Sequence, residues 1–238
     1  MKKPAVLFDL GNTLVAYYRP EQFRPILETA IGTVWDELTR RELTTVTLEA
    51  AIASAVVENR EAADFRFSPM ADRLARIFAV AVAEDVSLRL CELFLRPIFA
   101  MGSLYQDTLP VLNELAGRGY PIAVVSNAPW GSPPELWRHE LRRLGLLDAV
   151  HCVVLCGDVG WRKPAAQIFN HAANSVRRAA TECVFVGDDL RWDIEGSAAV
   201  GMQAVLMDRD DRHGDYVGAR VRDLHGLLSM VTRQCSIT

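Results

Sequence analysis

The side chains whose types and order could do chemistry together are Asp9, Ser126, Lys163 and the pair Asp188-Asp189. Two or three carboxylates drawn to one point repel each other unless a cation lies between them, and hard oxygen donors suit Mg²⁺. A phosphoryl group beside such an ion still has oxygens to neutralise. A hydroxyl donor such as Ser126 and an ammonium such as Lys163 do that. A carboxylate can then attack phosphorus as a nucleophile and form an aspartyl-phosphate. Each residue alone has a plainer use. Asp9, Ser126-Asn127 and Asp188-Asp189 fit turns or helix caps, and a lysine is ordinarily solvated. What sets them apart is a shared position relative to strands.

Ala5 to Phe8 is a short apolar run without alternation, which predicts a buried strand ending on Asp9 and a tight turn at Gly11-Asn12. Ile122 to Val125 predicts a second buried strand, ending in Ser126-Asn127. Val150 to Leu155 predicts a third, followed by a loop carrying Gly160 to Pro164, and Cys183 to Val186 a fourth, ending in Gly187-Asp188-Asp189. Gln203 to Met207 is the last clear strand. Helices are expected between them: Pro110 to Arg118 closing on Gly119, Pro134 to Leu144 closing on Gly145, one from Pro164, one ending near Gly201, and a short one over Leu224 to Met230. Strands alternating with helices imply a parallel sheet, and in such a sheet all these strand ends lie on one edge. The fold class is therefore α/β, with a Rossmann-like parallel core.

Between Phe23 and about Ser103 the pattern is helical only. Phe23, Ile26, Leu27, Ala30, Ile31, Val34 and Leu38 recur at helical spacing, and Leu48, Ile52, Ala55 and Val56 do so more weakly. Ser68-Pro69 predicts an N-cap and a first helical position, and Ser87 starts a fourth helix that Pro97 is expected to stop. This predicts a small helical bundle over residues 15–102, inserted into a core made of residues 1–14 and 103–238.

At 238 residues, half of them apolar, the chain can bury a sizeable core. A net charge of −4 with scattered basic residues gives no electrostatic case for nucleic acid. No run approaches a membrane span, and the apolar run after Lys2-Lys3 is too short for a signal peptide. Cysteines at 91, 152, 156, 183 and 235 form no CxxC pair, which predicts reduced thiols and a cytoplasmic location. Cys152 and Cys156, if on one strand, face the same way. Without a second pair they do not make a metal site.

In order and placement, four motifs resemble those of the haloacid dehalogenase superfamily: D-x-x-x-T at Asp9 to Thr13, apolar-S-N at Val125 to Asn127, R-K-P at Arg162 to Pro164, and G-D-D-x-x-x-D at Gly187 to Asp193. The helical insert resembles that family's first type of cap. The resemblance implies that Asp9 is both nucleophile and metal ligand. It implies that Ser126, with Asn127, binds the phosphoryl group and that Lys163 neutralises nucleophile and phosphate. Asp188 would ligate Mg²⁺, Asp189 and Asp193 would complete or orient the metal shell, and Gly11 would lend its carbonyl. The substrate implied is a small phosphorylated metabolite, handled by a monomer or homodimer.

One position departs from the family pattern. Family phosphatases usually carry a second Asp two residues after the nucleophile, where it protonates the leaving group; here stands Gly11. Such acid–base help is typically worth roughly 10² to 10⁴ in rate. Three readings follow. The substrate, a water or a cap group fills the role; or the enzyme is slow or uses good leaving groups; or hydrolysis is lost and a binding module remains. The dehalogenase activity is the enzymatic rival, but it has no need of the Asp188-Asp189 pair. A receiver-type signalling domain would place its acidic pair early, the reverse of the order here. Tyr17, Tyr18 and Arg19 in the linker, and Arg60, Arg66 and Arg73 on the insert, are candidates for the pocket rim. For the arginines a solvated face is the default.

Overall fold

The computed structural model describes residues 2–60 and 62–234. Six strands form one parallel sheet: β1 (Ala5–Phe8), β4 (Ile122–Ser126), β5 (Cys152–Leu155), β6 (Cys183–Gly187), β7 (Gln203–Met207) and β8 (Arg220–Val221), in the order β5-β4-β1-β6-β7-β8. β1 lies at the centre, with Phe8 opposite Val124 on one side and Val186 on the other. All four residues of β1 are fully buried, as are most of β4 and β6. That is why these strands read as continuous apolar runs instead of alternating ones. Helices flank the sheet: α5 (Thr108–Gly117) packs with α10 (Leu224–Gln234), and α8 (Ala166–Ser175) packs with α9 (Gly196–Ala199) and against β4 and β5.

The insert is four helices: α1 (Phe23–Arg40), α2 (Leu48–Glu58), α3 (Met70–Phe78) and α4 (Glu84–Met101). α1 packs on α2 and α4, and α3 joins α2 to α4. The predicted stripe of α1 is its buried face, from Ile26 to Leu38. Two short strands, β2 (Val15–Ala16) and β3 (Ser103–Leu104), pair antiparallel where the chain leaves and re-enters the core. They tie both linkers of the insert together, a pairing too short for the sequence to announce.

Several boundaries differ from the sequence reading. Pro97 does not stop the fourth helix, which starts at Glu84 and runs through to Met101. A proline inside a helix costs about 3 kcal/mol or more, and here Leu93, Phe94, Leu95 and Ile98 bury themselves on both sides of it and offset that cost. α3 begins at Met70, with Pro69 as its cap and no side-chain cap bond from Ser68. Cys156 is not on a strand: β5 ends at Leu155 and Cys156 opens a one-turn helix, α7 (Cys156–Val159). Cys152 and Cys156 therefore do not share a sheet face. Among the described residues Cys91, Cys152, Cys156 and Cys183 are free thiols, and Cys235 lies outside the described residues. No helix among the described residues is long and apolar enough to cross a membrane.

Candidate active site

β1 hands its ladder directly to the site. The Asp9 N–H donates to the Val186 carbonyl at 2.8 Å, so Asp9 sits beside the end of β6. The chain then reverses through Gly11 and Asn12. Asn12 takes a left-handed φ of 54°, and its N–H donates to Val15 O at 2.7 Å. Ser126, the last residue of β4, and Lys163, beyond α7, reach the same edge. They border a pocket of about 300 Å³ that Asp188 and Asp193 also line.

The centre of the site is Lys163, with 2% of its surface exposed. Its Nζ lies 2.5 Å from Asp9 Oδ1 and 2.5 Å from Asp193 Oδ1. Burial disfavours the ammonium, but Asp193 and Asp9 outweigh that and hold its pKa above the usual lysine range. Asp9, Asp188 and Asp193 each offer a carboxylate oxygen within 4.8 Å of the others. One ammonium thus faces three carboxylates. Burial first, with Asp9 adding to it, pushes Asp193 up to about 7 even against Lys163. Burial, then Asp9 and Asp193, raise Asp188 well above its ordinary value. Three carboxylates around one ammonium leave negative charge uncompensated, and such a cluster of oxygen donors fits a small, hard divalent cation.

Asp193 reaches this position because of two local features. The segment Leu190–Glu195 is wound as a π-helical turn, and the Asp189 carboxylate caps it by accepting from the N–H groups of Arg191 and Trp192, both at 2.8 Å. Gly187 supplies the room, since a Cβ there would run into the Asp193 side chain. Asp189, expected to complete or orient the metal shell, caps this turn through Oδ1, and the three clustered carboxylates are those of Asp9, Asp188 and Asp193. Its N–H donates to Asp193 Oδ2 at 3.2 Å, which orients that neighbour.

Asn127 has a second partner beside the pocket. Its carboxamide grips the backbone of Lys163, with Oδ1 accepting from Lys163 N–H at 2.8 Å and Nδ2 donating to Lys163 O at 3.1 Å. Asn127 thus fixes the segment that carries the lysine, and it lines the pocket as well. Ser126 lines the pocket as expected.

Gly11 leaves open space. A Cβ built there would have Tyr17 Cδ2, at 3.9 Å, as its nearest neighbour, and its φ is not left-handed. Tyr17 is buried, stands edge-on to Trp137 with centroids 5.7 Å apart, and has a hydroxyl without a hydrogen-bond partner. Burial, and Glu140 after it, raise its pKa, so it stays protonated. Tyr17 and Tyr18 both line the pocket, with Ile98 of α4.

The helical insert meets the core through aromatic pairs. Phe94 packs on Trp130 and Phe99 on Trp137, with centroids 5.0 Å apart in each case. The loop before α3 adds backbone bonds to the lysine-bearing loop: Phe67 N–H to Gly160 O at 3.0 Å and Arg162 N–H to Phe65 O at 2.8 Å. Arg66 stacks on Trp161, 4.4 Å from its centroid, and Arg73 donates to the carbonyls of Glu58 and Arg60. None of Arg60, Arg66 and Arg73 lines the pocket. The sequence reading missed Arg209. It pairs with Asp107 at 3.0 Å and donates to Thr13 O at 2.8 Å, bracing the turn after Asp9. Only its place just past the last clear strand hinted at a role.

Residues 3–201 match a family described as haloacid dehalogenase-like hydrolase. A ribulose-1,5-bisphosphate 5-phosphatase of Halopiger xanaduensis is 38% identical over 106 residues, 44% of this chain and 43% of that one. The chain thus matches less than half the length of that relative. A phosphatase structure from Thermococcus onnurineus superposes with a TM-score of 0.68 at 26% identity, covering 97% of this chain and 98% of that one. A 2-haloacid dehalogenase from Pseudomonas syringae superposes with a TM-score of 0.69 at 21% identity, covering 98% and 100%, a likeness of fold alone.

Proposed function

The chain belongs to the haloacid dehalogenase-like hydrolases, and on that premise we propose that it is a Mg²⁺-dependent phosphatase of small phosphorylated metabolites, working through phospho-Asp9. The observation that carries this reading is the buried Lys163 joined to both Asp9 and Asp193, beside Asp188, at the edge of the pocket. The phosphatase likenesses support it.

Asp9, Asp188 and Asp193 would hold the cation, with the Gly11 carbonyl beside them, and the ion would neutralise phosphoryl oxygens and orient the group for attack. Lys163 occupies Asp9 Oδ1, which leaves the other carboxylate oxygen to attack phosphorus. As that bond forms, the bond from phosphorus to the leaving oxygen breaks, and the leaving oxygen departs as an anion that takes its proton from water. Water then attacks phospho-Asp9, releasing phosphate and regenerating the carboxylate. Lys163 and the Ser126 hydroxyl balance charge on the transferring group in both steps. Gly11 supplies no proton, so leaving groups that need none are favoured. Residues 15–102 act as a cap over the core of residues 1–14 and 103–238, with Ile98 of α4 and the Tyr17-Tyr18 linker limiting the access of bulk water to the pocket.

The test is hydrolysis of 4-nitrophenyl phosphate by wild type and Asp9→Asn, with Mg²⁺ and with EDTA. Turnover should need both Mg²⁺ and Asp9. An active Asp9→Asn protein, or undiminished turnover in EDTA, overturns the reading. A dehalogenase would use Asp9 on carbon and has no use for Asp188 beside it. Release of chloride from 2-chloropropionate in EDTA would establish that rival.

A further inference from the structure

A second cleft, of about 450 Å³, adjoins the catalytic pocket and shares Asn12, Tyr17, Tyr18, Asp188 and Asp189 with it. Its far wall is built from two separate segments, the linker after β2 and the loop after β7. Arg19 comes from the first and Arg212 and His213 from the second. Both guanidiniums converge on one carboxylate, Asp210, with N···O distances of 3.6 Å from Arg19 and 2.5 Å from Arg212. Asp210 thus draws two guanidiniums to one point, but a single carboxylate cannot occupy all of their donors. The arginine side chains stay 62% and 50% exposed, so their remaining N–H donors face the cleft and solvent.

The other charged groups of this wall are already engaged. Arg209 is used by Asp107 and Thr13 O. Asp208 accepts from the N–H groups of Arg212 and His213 and from Arg220 Nη1. Asp189 caps its turn and Asp188 belongs to the catalytic cluster. Glu21 is the further acid facing Arg212. What the wall offers to a ligand is therefore two planar guanidinium forks and an imidazole, a donor set matched to phosphate or carboxylate oxygens. The lining residues that the two cavities share put this wall next to the pocket bordered by Ser126 and Lys163.

We infer that the second cleft binds a second anionic group on the leaving-group part of the substrate, so that the preferred substrates are phosphomonoesters bearing another phosphate or a carboxylate. This rests on the phosphatase reading above. Arg19 and Arg212 clamp the distal anion, and Asp210 holds the two guanidiniums near each other until it arrives. The cleft and pocket together have the volume of a metabolite site of several carbons.

The experiment compares substrate pairs that differ only in the distal anion: ribulose 1,5-bisphosphate against ribulose 5-phosphate, and 3-phosphoglycerate against glycerol 3-phosphate. Wild type should favour the partner with the second anionic group by about tenfold or more in KM. In the Arg19→Gln/Arg212→Gln double variant that ratio should fall to within about twofold. The first pair reports a phosphate and the second a carboxylate, so the pair that responds identifies the anion. Absence of any preference in wild type, or a preference that survives in the double variant, overturns the inference. Calorimetric binding of ribulose 1,5-bisphosphate and ribulose 5-phosphate to both proteins is measured in parallel. A protein inactive on 4-nitrophenyl phosphate that still binds the bisphosphate more tightly through these arginines would refute the phosphatase reading and keep the subsite. Equal binding of the two sugars refutes the subsite.

Discussion

Raising the pH of the metal-free protein from 5 to 8 should lower its stability, and Mg²⁺ should restore it only at the upper end. An acid whose pKa is raised by folding holds its proton more tightly in the native state. Its contribution is full below the unfolded value and is lost as pH rises through the native one. Asp193 moves from 3.8 to about 7, chiefly through burial. Between pH 5 and that native value lie two pH units, each worth about 1.36 kcal/mol, so roughly 3 kcal/mol is lost before pH 8. Asp188 adds a loss of the same sign. Lys163 is raised above its usual lysine range, so its contribution is constant over this window. For a chain of this size about 3 kcal/mol is roughly 6–12 °C in Tm. A cation that binds the ionised carboxylates at about 100 times its Kd returns about 2.7 kcal/mol at pH 8, whereas at pH 5 protons compete for the same oxygens. Scanning calorimetry in EDTA and in Mg²⁺, at both pH values, measures each term. Asp193→Asn should flatten the metal-free slope. A Tm that is level or rises between pH 5 and 8 in EDTA, or a slope unchanged in Asp193→Asn, refutes the reasoning.

Gly11→Asp should fold normally, because a Cβ meets nothing nearer than 3.9 Å there, and should raise kcat on alkyl phosphates by up to about 10² with little effect on 4-nitrophenyl phosphate. An unchanged ratio of the two rates shows that another group already supplies the proton. Arg209→Met leaves Asp107 buried beside Leu224 N–H without its cation, and frees Thr13 O. Urea unfolding should show a loss of about 3 kcal/mol, and a change under about 0.5 kcal/mol would mean the pair is idle. Gly131→Ala forces a Cβ into the Ser68 carbonyl at a φ of +69°. It should cost about 2 kcal/mol or more, and a wild-type unfolding curve would show that the insert does not press on this loop.

The sheet was legible because its central strands are buried on both faces. Ala5 to Phe8 and Cys183 to Val186 have no polar residue to blur them, and the residues after them fall on one edge by topology alone. The helical insert was legible from its stripes. What escaped were features decided by neighbours distant in sequence. Pro97 breaks a local rule, and its helix persists through the packing of Phe94 and Ile98. β2 and β3 have two residues each and exist because the linkers meet. Cys156 follows apolar residues as a strand residue would, yet Asp158 accepts from Leu155 N–H and turns the chain into α7.

That Asp9, Lys163, Asp188 and Asp193 meet was legible from the strand order and the motifs, but which atom of each bonds to which was not, and Lys163 shows why. A lysine with three carboxylates nearby can be held in many ways, and only distance decides among them. Asn127 fixes its backbone from one side and Asp193 its ammonium from the other, while Asp189 caps the turn that carries Asp193 and Gly187 makes room for it. Asn127 and Asp189 thus set the positions of Lys163 and Asp193. The consequence is an asymmetry in what substitution should do. Asn127→Ala or Asp189→Ala loosens Lys163 or Asp193 and should lower kcat with partial activity remaining, since misplacing a charged group by about 1 Å costs on the order of 10²-fold. Asp9→Asn removes the nucleophile and leaves nothing to loosen.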